Sequence, residues 1–113
     1  MDYEQLVFTI ISNAGDGKSF IFEALSHARN GEFNLAEEKL EAANDSLNKA
    51  HDKQTNLLTQ EAKGDKTEIG LLMIHAQDHL MNALLAKDLV EEMIETQKQL
   101  HELRNQRRQK EIG

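Results

Sequence analysis

His75, Asp78 and His79 are the residues of this chain whose types and spacing could do chemistry. Together with Gln77 they lie inside Leu71-Leu72-Met73-Ile74-His75-Ala76-Gln77-Asp78-His79-Leu80-Met81. At about 100° per helical residue, His79 falls roughly 40° to one side of His75 and Asp78 roughly 60° to the other, so the three share a face. Gln77 falls about 200° away and can serve that face only from a neighbouring subunit. A neutral imidazole is both a good nucleophile and a good leaving group, so it can hold and release a phosphoryl group. Such a group brings about two negative charges. His75 lies well inside its helix, where backbone N–H groups are already used and the helix dipole is weak. Side chains must therefore supply the donors.

Other chemistry fits less well. Two histidines at i and i+4 could ligate zinc, but Ala76 stands where the Glu of a His-Glu-x-x-His protease site belongs. Gly15-Asp16-Gly17-Lys18-Ser19 ends like a phosphate loop, yet Ser12 occupies the place of the required earlier glycine and no strand precedes it. A lone histidine in a helix seam is usually a satisfied core residue. Four polar groups in one short apolar stretch need partners or a task, because unpartnered burial costs several kcal/mol.

The elements that must position these residues are helices. The chain has 113 residues, a length for one domain, residues 1–113, and contains no proline. Alanine, leucine and glutamate are abundant, so the expected class is all-α. Tyr3, Val7, Ile10, Ala14, Gly17, Ile21, Ala24 and Ala28 step by four and three, predicting a helix over about 2–29 that passes unbroken through Gly15 and Gly17. Asp2 with Gln5 reads as its capping pair. Asn30-Gly31 ends it. A second helix over about 34–62, capped by Asn34 with Glu37, carries Ala36, Leu40, Ala43, Leu47, Ala50, Gln54 and Leu57 on its seam. Gly64 stops it. Asp65 with Glu68 caps a third helix over about 67–108, with seam Leu72, Ala76, His79, Ala83, Ala86, Val90, Met93, Gln97 and Leu100. Short connections predict an up-down-up antiparallel three-helix bundle.

From Leu71 to Ala86, eleven of sixteen residues are apolar, and they point in nearly all directions. A helix apolar all round must be covered on nearly all sides. A small monomer cannot do that, so self-association is expected around this segment.

Composition excludes several classes. The net charge of −7 argues against general nucleic-acid binding. Absence of cysteine removes thiol and disulfide chemistry and suits a reducing compartment. The acidic start lacks the basic region of a signal peptide, and the most hydrophobic window contains an Asp and two His, so it is no membrane span. A cytoplasmic protein is expected. The basic end, Arg104, Arg107, Arg108 and Lys110, reads as a favourable helix C-terminus and solvated tail, with a docking patch for an acidic partner as the alternative.

The segment Leu71–Met81, centred on His-Ala-Gln-Asp-His-Leu-Met, resembles the motif of the lactose/cellobiose-class enzyme IIA of the bacterial phosphoenolpyruvate-dependent sugar phosphotransferase system (PTS). Gly15-Asp16-Gly17-Lys18-Ser19 with Glu23-Ala24-Leu25, Gly31-Glu32-Phe33 with Ala36-Glu37, and Asn48-Lys49-Ala50-His51 with Gln54-Thr55 extend the likeness over roughly residues 3 to 100. The resemblance implies a three-helix bundle assembling as a homotrimer. It implies that His75 becomes a phosphohistidine, taking the phosphoryl group from the carrier protein HPr. His75 would then pass it to a cysteine of the cognate IIB (EIIB), for uptake and phosphorylation of a β-linked disaccharide through the membrane component IIC (EIIC). His79 and the neighbouring subunit's Gln77 would stand beside the phosphoryl group. Asp78 would match a buried aspartate that holds a divalent cation at the trimer centre, where three carboxylates and waters suit Mg²⁺. Cellobiose-type sugars are favoured over lactose. The competing expectation is a non-enzymatic helical oligomer whose His/Asp cluster is structural or metal-binding.

Overall fold

The computed structural model describes residues 2–64 and 70–112. Three helices make up the architecture: α1 (Tyr3–Arg29), α2 (Phe33–Ala62) and α3 (Leu71–Ile112). Helix α1 packs along both others, while α2 and α3 touch each other far less. The result is an elongated up-down-up bundle of 70 × 21 × 17 Å with α1 as its spine.

Helix α1 starts at a full capping box. The Asp2 side chain accepts from the Gln5 N–H at 2.9 Å, and Gln5 Oε1 accepts from the Asp2 N–H at 3.2 Å; such a cap stabilises by about 1 kcal/mol. The helix passes through Gly15 and Gly17 without interruption. Gly17 is a packing device: a Cβ there would lie 2.7 Å from Leu47 Cδ2 and 2.8 Å from Leu47 Cγ. Gly15 faces open space. Gly31, with φ +80°, makes the left-handed turn that ends α1, and Gly64, with φ +91°, follows α2. Helix α2 begins earlier than expected, at Phe33. Its N-cap is Glu32 and has no side-chain cap bond. The Asn34–Glu37 pair therefore lies inside the helix. The expected Asp65–Glu68 cap of α3 lies outside the described residues.

The core is formed by Leu6, Val7, Ile10, Ala14, Gly17, Ile21, Ala24 and Ala28 of α1 against Ala36, Ala43, Leu47, Ala50 and Leu57 of α2. Both registers follow the sequence spacing. Helix α3 departs from it. Its buried residues are Ala76, Leu80, Ala83, Val90 and Ile94. Ala76, Ala83 and Val90 belong to the expected seam, but Leu80 and Ile94 replace His79 and Met93. Two neighbouring registers share Ala76, Ala83, Val90 and Gln97, and an all-round apolar helix does not decide between them. Packing decides for the one that buries two full-size aliphatic side chains, not an imidazole that would need a partner. His79 is consequently half-buried at the seam edge, and Leu72, Met93 and Leu100 are exposed.

Candidate functional site

Helix α3 begins at Leu71 and continues for 42 residues to Ile112, about 63 Å at the usual rise. It carries all four expected site residues in its first three turns. His75 is exposed. Its ring stands perpendicular to that of His79, with centroids 4.4 Å apart and an interplanar angle of 90°. A cleft of about 480 Å³ lined by Leu71, Leu72 and His75 opens beside it. An accessible imidazole with a second imidazole against it and apolar walls can attack an incoming electrophile and have its new substituent contacted by a neighbouring donor.

Asp78 is exposed on the same side and makes no hydrogen bond or ion pair among the described residues. Within one chain, no three His, Asp or Glu side chains among the described residues gather into a cation site. Among the described residues Asp78 is therefore a single unpaired carboxylate. Its oxygen chemistry fits a hard divalent cation, and no second carboxylate or imidazole ligand set stands beside it among the described residues.

Gln77 takes the opposite direction. It is half-buried between α2 and α3, where Gln54 Nε2 donates a hydrogen bond to its Oε1. The four polar residues are thus split, three on the outer face of α3 and one on its inner side. None is buried within the chain; no polar or charged side chain is, among the described residues. The desolvation cost inferred from the sequence is not incurred in one subunit and would arise only on association.

Sequence reasoning missed two contacts. Gln54 lies on the expected α2 seam as a polar residue in an apolar stripe, but Gln77 lies off the α3 seam, so spacing carries no signal that pairs the two. His101 lies on the true α3 register, seven residues beyond Ile94. Its Nε2 is 3.3 Å from the Arg29 carbonyl oxygen, and its ring meets Phe33 edge-on at 5.4 Å. The same ring approaches Gly31, where a Cβ would lie 3.1 Å from His101 Cε1. His101 thus fastens the far half of α3 to the α1–α2 turn.

Three antiparallel helices with an exposed two-histidine turn on the longest define a helical histidine protein, distinct from zinc proteases and nucleotide-binding domains. The family model described as PTS system, Lactose/Cellobiose specific IIA subunit, matches residues 5–98, and the chain belongs to that family. It is a phosphotransferase-system component. The chain is 47% identical over 103 residues to the lichenan-specific phosphotransferase enzyme IIA component of Bacillus subtilis, covering 91% of this chain and 94% of that protein. Other relatives are IIA components named for lactose, galactose and cellobiose. The crystal structure of the cellobiose-specific enzyme IIA from Bacillus anthracis superposes with a TM-score of 0.86 at 46% identity, covering 89% of this chain and 94% of that one. The IIA of the Escherichia coli N,N'-diacetylchitobiose branch, solved in complex with HPr, superposes with a TM-score of 0.78 at 35% identity, covering 89% and 98%. Among the described residues no helix is long and apolar enough to cross a membrane.

Proposed function

We propose that this IIA protein carries the phosphoryl group on His75. The observation that supports this most is the exposed His75 ring with His79 perpendicular to it at 4.4 Å. An imidazole nitrogen of His75 attacks the phosphorus of the HPr phosphohistidine. The new P–N bond forms as the old one breaks, and the HPr imidazole leaves as a neutral group. In the second transfer a thiolate of IIB attacks the same phosphorus, an S–P bond replaces the P–N bond, and His75 returns to its free form. Transfer of this kind needs mainly positioning and charge stabilisation. His79 and the neighbouring subunit's Gln77 supply donors, since the window from Leu71 to Ala86 contains no Lys or Arg. HPr as donor is supported by the chitobiose IIA relative solved with it.

The protein acts as a homotrimer in this reading. Leu71, Ile74, Met81, Leu85 and Leu89 of α3 are all more than half exposed in one chain, an apolar face that three copies would cover together. Asp78 lies on that face, and three copies of it converge near the symmetry axis. Mg²⁺ bound there would neutralise the converging carboxylates. The protein works in the cytoplasm, between HPr and the IIB and IIC components, in uptake of a β-linked disaccharide of the cellobiose or lactose type. Incubation with phosphoenolpyruvate, enzyme I and HPr tests the function. A phosphoryl carrier becomes labelled; a purely structural helical oligomer does not.

A further inference from the structure

The hydrogen bond from Gln54 to Gln77 is the only side-chain hydrogen bond between α2 and α3 among the described residues. Its direction has chemical consequences. A Gln amide has one donor end and one acceptor end. The Gln77 oxygen is occupied by the Gln54 N–H. The Gln77 amide nitrogen, with two N–H donors, makes no hydrogen bond among the described residues. A dianionic phosphoryl group is attracted by N–H donors and repelled by a carbonyl oxygen, so which end of Gln77 points outward decides whether it helps or hinders.

We propose that Gln54 is a positioning residue for phosphoryl transfer: its amide donates to the Gln77 oxygen and thereby turns the Gln77 NH₂ outward, toward the phosphoryl group on the neighbouring subunit's His75. This rests on the reading above in which Gln77 serves a neighbouring site. The α2 helix thus enters the reaction without touching the substrate. Gln54 and Gln77 are both half-buried, so water competes only partly for the bond, and the pair fixes the amide orientation before the phosphoryl group arrives. Pre-set donors of this kind avoid reorganisation during transfer.

The test uses the full trimeric protein with phosphoenolpyruvate, enzyme I and HPr, reading the initial rate of phosphorylation alongside melting temperature and oligomeric state. Gln54→Glu is the informative variant. A carboxylate only accepts, so it keeps a hydrogen bond to Gln77 but reverses its sense, turning the Gln77 oxygen outward. The expected result is an unchanged melting temperature and trimer with a rate lower by about tenfold, the scale for losing one hydrogen bond to a charged group. Gln77→Ala should be slowed similarly. The double variant Gln54→Glu/Gln77→Ala should be no slower than Gln77→Ala, because Gln54 acts through Gln77. Gln54→Met, which removes the donor without adding charge, should fall between wild type and Gln54→Glu, and takes its place in the cycle if the carboxylate variant does not fold. Additive slowing in the double variant would overturn the proposal, since the new charge would then act directly. Wild-type rates for both Gln54 variants with a slow Gln77→Ala would overturn it while sparing the role of Gln77. A wild-type rate for Gln77→Ala would remove the underlying reading and the proposal together.

Discussion

The imidazole rings of His75 and His79 stand at right angles with their centroids 4.4 Å apart, within the first three turns of α3. One helical turn separates them, so the backbone alone brings them together. The perpendicular arrangement leaves His75 open to solvent while His79 is half-buried against the bundle.

The rod that presents this pair depends on the close approach of α1 and α2 at Gly17. Gly17→Ala should destabilise the fold by about 1–2 kcal/mol, because overpacking against the buried Leu47 outweighs the gain in helix propensity. Gly15→Ala, which meets nothing within 4 Å, should stabilise it by about 0.5–1 kcal/mol for the same propensity reason. Urea denaturation of both variants against wild type measures the two signs. Equal effects at the two glycines would mean that the Gly17–Leu47 contact does not set the helix spacing.

Self-association is the second expectation. Leu85 and Leu89 are 57% and 51% exposed in one chain, and burying each side chain fully contributes about 1.5–3 kcal/mol. Sedimentation equilibrium should return about three times the 12.8 kDa chain mass. The double substitution Leu85→Lys and Leu89→Lys should yield monomers whose helical circular dichroism is retained, since neither residue belongs to the intramolecular core. Monomeric wild-type protein at micromolar concentration would contradict the trimer.

Asp78 gives a third. Three exposed carboxylates brought to one axis repel, and a hard divalent cation relieves that repulsion. EDTA should lower the melting temperature of wild type and leave Asp78→Leu unaffected, because packed apolar volume in place of buried charge is often neutral or stabilising. If Asp78→Leu falls apart into monomers while wild type ignores EDTA, Asp78 makes a specific hydrogen bond and holds no cation.

The α1 and α2 registers could be read from the sequence because each has one apolar stripe with a four-three spacing. Tyr3 to Ala28 and Ala36 to Leu57 face inward almost residue for residue. The unbroken phase of Ala14, Gly17 and Ile21 marks a helix through both glycines, and the contact with Leu47 explains the need for Gly17. Helix α3 resisted because its apolar residues surround it. Periodicity cannot tell which side faces α1 when Leu80 and Ile94 compete with His79 and Met93. The shared face of His75, Asp78 and His79 follows from helical geometry alone. The Gln54–Gln77 bond and the docking of His101 on the α1–α2 turn depend on how separate helices meet, which spacing within one helix does not encode.

Localising the phosphoryl group by mass spectrometry after incubation with phosphoenolpyruvate, enzyme I and HPr tests the central claim most directly. Wild type should carry an acid-labile phosphoramidate on His75. The His75→Gln protein should keep its helicity and assembly and accept no phosphoryl group, while His79→Gln should still be phosphorylated on His75, more slowly. Phosphate on His79 in wild type, or a His75→Gln protein that still accepts the group while His79→Gln does not, would contradict the assignment.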